Sequence, residues 1–340
     1  MRRPLLLWIL ALGVLLSAGL DTASAMGKEE EGINPEDPKL IGEPVNEASR
    51  LEELLATEYN KRQTEHFFLE TSYPMDSAKD YIRFCELQYA AFLKWAGLPA
   101  NHKLWGQRAH VVVIANKGEW EALLRYQYRH LPPKELELRL KIGGTWNSQP
   151  PRVFSRSHEG SNPVSDKLGI YHSLNHLFLH GLSGSGGHGF IPWLYESFSF
   201  YWALKIFGAT GGGCIAFDTA AKQDEHRAWN DPDDWIKLLK REVKKKNDED
   251  FILFWHKNLT SIPKPTFVKA WSLIDYLLRD DDAKGDFLRF IKMLKNKNDQ
   301  AKALKMVYNW TPDDLDKAWR KWIKKQRSRK LTKGKKKRKR

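Results

Sequence analysis

The chain is nearly without cysteine. Cys85 and Cys214 are the only two, so neither a disulfide framework nor a cysteine-based zinc motif organises this fold. The two could bridge each other, or stay as buried thiols. No apolar run beyond the N-terminal one is long enough for a bilayer span. There is no phosphate-binding loop, no dinucleotide fingerprint and no internal repeat, which removes the common nucleotide-dependent classes. Charge is also missing where the total suggests it. The formal charge is +14, but twelve basic residues at 324–340, with Arg2 and Arg3, account for all of it. Residues 4–323 are formally neutral.

What is present begins with a secretory signal over residues 1–25. Arg2 and Arg3 give the positive start, Leu5 to Leu20 the apolar core, and Ala23-Ser24-Ala25 a small-residue cleavage site. The mature protein is therefore expected to be exported; an uncleaved N-terminal anchor is the alternative. Residues 26–46 are polar, carry prolines and show no periodicity, so a flexible linker is expected. At the other end, Lys335, Lys336, Lys337, Arg338, Lys339 and Arg340 close a tail, 324–340, that repels itself and is expected to be disordered. Such a tail attracts polyanions. For an exported protein the expected partner is an anionic envelope polymer or membrane surface rather than nucleic acid. Two glycosylation acceptor patterns, at Asn258 and Asn309, matter only in a host that glycosylates.

Between these ends the pattern is α+β. A helical stripe starts at Glu47 with Leu51, Leu54, Leu55 and Tyr59, and Thr64–Ser72 alternates as a strand does. Tyr81–Trp95 reads as a helix, Arg108–Ala115 as a buried strand, and Lys117–Tyr128 as a helix. Leu138–Trp146 and Pro151–Phe154 read as strands. After Gly208 the chain is mostly helical, with helices at Asp234–Lys246, Phe267–Arg279, Asp286–Leu294, Asp299–Tyr308 and Pro312–Lys325. The last has Thr311 as N-cap and proline at the first position.

The stretch with chemistry in it is Leu168–Gly208. Its first helical segment carries His172, His176 and His180 at four-residue spacing, with a drift of about 40° per step around the helix. Imidazoles one turn apart can chelate one metal ion. A Gly-rich linker, Gly181–Gly189, leads to a second helix with Pro192 in its first turn. Glu196 is the one acid there, set among Trp193, Leu194, Tyr195, Phe198 and Phe200. A carboxylate in so apolar a helix needs a partner, and a metal held by histidines would be one. Histidine pairs at this spacing also occur as plain core packing.

A His-x-x-x-His helix followed by Trp-Leu-x-Glu on the next resembles the gluzincin zinc metallopeptidases, in particular the bacterial peptidase MA-like group, whose pattern is His-Glu-x-x-His, a short loop, and Pro-x-Trp-Leu-x-Glu-Gly. The resemblance implies a thermolysin-like α+β fold over 47–323, with a small mixed sheet before the active-site helix and a mostly helical C-terminal half. It also implies a cleft in which an edge strand pairs with an extended peptide. It places His176, His180 and Glu196 on the zinc-ligand positions. Lys269-Ala270-Trp271-Ser272, Phe287-Leu288 and the run from Asp313 to Trp319 are similar to the group's C-terminal helices. His172 reads as a cleft-lining residue that could still join a three-histidine face, and His188 as another cleft candidate.

Two departures stand out. The family's general base, directly after the first ligand, is replaced by Leu177, and Ser197 stands where the family usually has Gly. General acid–base help is worth roughly 10²–10⁴-fold, and leucine supplies none. The resemblance therefore implies a pseudopeptidase that keeps a zinc site and a peptide cleft. Two alternatives are a residual zinc hydrolase with an unconventional base, and a non-catalytic envelope scaffold that binds acidic polymer through its tail.

Overall fold

The computed structural model describes residues 37–156, 163–184, 191–207, 232–257, 264–294 and 299–326. The signal sequence, His188, Cys214, Asn258 and the tail beyond Gln326 lie outside the described residues. Within them the chain is α+β, with one six-stranded mixed sheet in the first half and helices through the second.

The sheet runs β1 (Glu43–Pro44), β2 (Asn60–Gln63), β3 (Phe67–Thr71), β4 (Ala109–Ile114), β6 (Pro151–Arg156), β5 (Gly144–Ser148) in space. Its middle, β3–β4–β6, is parallel, and both flanks are antiparallel. Val111, Val112, Val113 and Ile114 are all fully buried, because this strand is covered on both faces, as parallel strands usually are. Ala109, Val111 and Val113 join the main core, while Val112 and Ile114 pack with Trp120, Leu123 and Leu124 of helix α4 (Lys117–Gln127) in a smaller one.

Three sequence expectations are corrected here. The linker 26–46 is structured from Asp37 on: helix α1 (Pro38–Ile41) and β1 are tied down by Arg62, whose guanidinium donates to the carbonyls of Ile41 and Gly42. A polar segment with no periodicity can still be ordered when its backbone carbonyls find a buried cation. The stripe beginning at Glu47 is only helix α2 (Arg50–Leu55), closed by Ala56 at φ 50°, so Tyr59 lies beyond it. The Ser49–Glu52 capping box starts it. Finally, Leu138–Trp146 is not one strand: helix α5 (Pro133–Leu140) ends before β5 begins. The Glu-Leu-Glu-Leu alternation imitates period two, but Lys, Glu, Leu and Arg after a proline are strong helix formers. The expected strand at Thr64–Ser72 is present as β3, preceded by the turn that joins it to β2.

Helix α3 (Met75–Ala96) and helix α6 (Pro163–Ser183) cover one face of the sheet, and α6 lies across β5 and β6. Two glycines bring α6 close. A Cβ on Gly169 would stand 2.8 Å from Ser155 Oγ, and one on Gly181 only 2.7 Å from the Leu104 carbonyl oxygen. Gly181→Ala is therefore expected to destabilise the protein by roughly 1–3 kcal/mol through overpacking, read by urea denaturation; no loss would mean the 97–108 loop yields freely.

Helix α7 (Pro192–Phe207) sits between α6 and helix α10 (Lys264–Leu277) and is buried nearly all round. A helix without a polar face belongs at the centre of a fold, and the main core runs on through it to Ile323. Helices α8 (Pro232–Lys245), α9 (Phe251–Phe254), α11 (Asp281–Met293), α12 (Gln300–Tyr308) and α13 (Pro312–Lys325) complete the C-terminal half. The expected Thr311 cap of α13 is present as a capping box with Asp314. None of the described helices is long and apolar enough to cross a membrane.

Candidate metal centre

Helix α6 presents its histidines to α7. His172 is 2 % exposed, and His176 and Glu196 are fully buried. His172 Nε2 lies 3.1 Å from Glu196 Oε2, His176 Nε2 lies 3.3 Å from Oε1, and the two imidazole nitrogens are 3.1 Å apart. Ligand atoms about 2.0–2.1 Å from a tetrahedral zinc are separated by about 3.3–3.4 Å. The two imidazole nitrogens have nearly that spacing, and taking one ligand atom from each of the three side chains, all lie within 4.8 Å of one another. Among the described residues they are the one group of histidine, cysteine or carboxylate ligands that converges in this way.

The expected ligand set is only partly realised. His176 and Glu196 come together, but the third member of the group is His172, one turn earlier, and not His180. His180 is half-buried, its Nε2 turned inward without a hydrogen-bond partner. Its ring meets Trp146 edge-on, with centroids 6.2 Å apart. Directly after the first histidine of the observed pair stands Ser173, fully buried, its Oγ without a hydrogen-bond partner. Leu177 is 1 % exposed and is part of the main hydrophobic core. Neither side chain is a base. Ser197 is buried as well.

The walls are aromatic. Trp146, on edge strand β5, stacks on His176 with centroids 5.1 Å apart at 14°, and on Tyr195 at 5.8 Å and 8°. Phe200 meets His172 edge-on at 5.2 Å. Trp146 and Tyr195 were not singled out from the sequence as site residues. The signal for Tyr195 was its place beside Glu196; nothing local marked Trp146.

Electrostatics sharpen the need for a cation. Burial pushes the Glu196 carboxyl up, but the facing His172 and His176 outweigh it and bring it down to about 2. Burial also pushes His176 down, against the opposing pull of Glu196, and does the same to His180. A neutral His176 cannot also hold Glu196 down with a full charge. The His176 imidazole is held neutral, because desolvation of so enclosed a ring disfavours its charged form directly. His176 then gives Glu196 no full countercharge, and neither of the carboxylate oxygens accepts a well-formed hydrogen bond. An unpaired buried carboxylate costs several kcal/mol, and coordination to a metal is one of the few ways to keep it. The donor set, two imidazoles and a carboxylate, suits zinc.

Elsewhere the titratable groups are structural. His66 pairs with Glu86 at 2.8 Å and stacks on Tyr89, and His110 pairs with the buried Glu70. Cys85 is a free, buried thiol whose pKa burial pushes far up, so it is not a nucleophile. No protein-family model matches the chain, and no curated protein is significantly similar to it.

Proposed function

We propose that this is an exported, metallopeptidase-like protein that holds zinc in the buried His172–His176–Glu196 centre and has lost peptide hydrolysis while keeping a place for an extended peptide. The convergence of the two imidazole nitrogens, 3.1 Å apart, with one Glu196 oxygen facing each at 3.1 and 3.3 Å carries the reading. The gluzincin-like order of histidine helix and Trp-Leu-x-Glu helix supports it, as does a small mixed sheet ahead of the histidine helix. Zinc in such a set acts as a Lewis acid and an electrostatic clamp. The chain's own part is to orient the two imidazoles through the helix, to exclude water with Trp146, Tyr195 and Phe200, and to supply the carboxylate. The positions directly after the two histidines are Ser173 and Leu177, and neither side chain takes a proton from an attacking water.

The peptide would add to β5, which is the last strand of the sheet and has Trp146 beside the histidines. Main-chain pairing at a free edge gives affinity with little demand on sequence. The test is a peptide library incubated with the zinc-loaded protein and read by mass spectrometry. Peptides should be retained and recovered uncut, and Trp146→Ala should reduce retention. Zinc-dependent cleavage that disappears in His176→Ala would instead establish a working hydrolase.

A further inference from the structure

Residues 4–323 are formally neutral as a whole, yet two neighbouring helices are not. From Lys237 to Lys246 the chain has six basic residues and one acid, and from Lys317 to Lys325 five and none. Helices α8 and α13 pack against each other, so the two runs belong to one region of the surface. Their apolar stripes, Trp235, Leu239 and Val243 on α8 and Leu315, Trp319 and Ile323 on α13, are buried, which leaves the lysines outward.

Some of these charges are paired: Lys237 with Asp234, Arg241 with Glu242, and Arg320 with Asp248 and Asp250. On α8 and just past its end, the exposed Lys244, Lys245 and Lys246 and the half-buried Lys240 form no ion pair among the described residues. On α13 the same holds for the exposed Lys317, Lys321, Lys324 and Lys325. Like charges held together on a rigid surface repel, and an anionic partner relieves the repulsion. The unpaired groups are all lysines, which bind as point charges and lack the fork with which arginine reads phosphates and bases.

A second observation chooses the partner. Helix α9 follows α8 and packs on α13. It exposes Ile252 (43 %) and Leu253 (59 %), two of the few large apolar side chains open to solvent among the described residues. Lysines beside an exposed aliphatic pair make an interfacial surface, attracted to anionic headgroups and able to bury methyl groups at the acyl boundary. Nucleic acid would have use for the lysines and none for the leucine.

We propose that α8, α9 and α13 form a folded docking face for an anionic lipid bilayer, independent of the C-terminal tail. The probes are vesicles containing phosphatidylglycerol and vesicles of phosphatidylcholine alone, with duplex DNA as a competing polyanion. In the full-length chain, glutamine at the ten basic positions after Gln326 should leave salt-sensitive binding to the anionic vesicles. Lys240→Gln, Lys244→Gln, Lys317→Gln and Lys321→Gln together should weaken it by roughly 600-fold, since each lysine near such a surface contributes about fivefold. Ile252→Ser with Leu253→Ser should weaken it about tenfold. None of the substituted residues on α8, α9 and α13 is buried, so melting temperatures should hold and report folding. Loss of binding on neutralising the tail alone would make the tail the whole anchor and overturn the proposal. So would unchanged binding in the four-lysine variant, unchanged binding in the Ile252/Leu253 variant, or preference for duplex DNA over vesicles at equal ionic strength.

Discussion

Zinc titrated into the metal-free protein should bind at one equivalent, and His172→Ala should lose it as completely as His176→Ala or Glu196→Ala. His180→Ala should keep it. Altering a group that merely supports a ligand costs 10–100-fold in metal affinity, so removing a ligand should cost at least ~100-fold, read by isothermal titration or by metal content after gel filtration. His180 is outside the converging group, and its replacement should change affinity by less than about tenfold. Stability should follow occupancy: at zinc 100-fold above Kd, binding adds about 2.7 kcal/mol, and the ligand variants should melt at one temperature with or without zinc. The reverse pattern, metal lost in His180→Ala and kept in His172→Ala, would mean that the ladder is used one turn later. A wild type that takes up no zinc would leave a buried His–His–Glu cluster in the core and defeat the metal reading.

Asp316→Ala is expected to be the most damaging single change away from this centre. Lys269, on α10, is 1 % exposed, and its Nζ donates to Asp316 Oδ1 at 2.5 Å, to the Glu249 carbonyl at 2.6 Å and to Asp248 Oδ2 at 3.2 Å. The ammonium also lies 4.6 Å from the centroid of Trp319. Asp316, on α13, is equally buried, and its other oxygen accepts the Phe251 N–H at the start of α9 at 2.7 Å. Removing one partner of a buried pair leaves a charge in low dielectric and costs about 3–5 kcal/mol. Here an N-terminal donor of α9 is orphaned as well. Lys269→Met should cost a similar amount, because Asp248 and Asp316 would then face each other without the cation between them. The double variant Lys269→Met, Asp316→Leu should recover much of the loss, since an apolar pair of similar volume can replace a buried ion pair. Chemical denaturation of the four proteins closes the cycle. A loss below about 1 kcal/mol for Asp316→Ala would show that water reaches the pair and reduces it to a surface contact.

That network joins two segments noted separately in the sequence, Lys269–Ser272 and Asp313–Trp319. Besides the ion pair, Trp319 Nε1 donates to Ser272 Oγ at 2.9 Å. Each segment was legible as an amphipathic helix, but their meeting was not. Nothing in either run shows that a lysine on one is neutralised by an aspartate 47 residues away on the other.

What the sequence by itself determined is what short-range physics controls. The Thr311-Pro312 start placed α13 to the residue, Pro192 placed the start of α7, and the all-apolar character of α7 made it a central helix. The valine run marked β4. The four-residue histidine spacing gave a ladder with one metal-chelating geometry available at each step. It went wrong where local signals conflict, as in the alternating leucines of α5, or where order comes from a distant side chain, as in the Arg62 anchor of residues 37–44.

Which rung of the ladder is used was decided by tertiary structure alone. His172 and His180 differ by about 80° around the helix, so one carboxylate on a neighbouring helix can converge with His176 and only one of the other two. The rotation of α6 about its axis chooses, and that rotation is set by contacts far from the motif. Gly169 and Gly181 let the helix down onto Ser155 and Leu104, β5 brings Trp146 over His176, and α7 is wedged between α6 and α10. In that setting His172 turns toward Glu196, and His180 is left against the edge of Trp146.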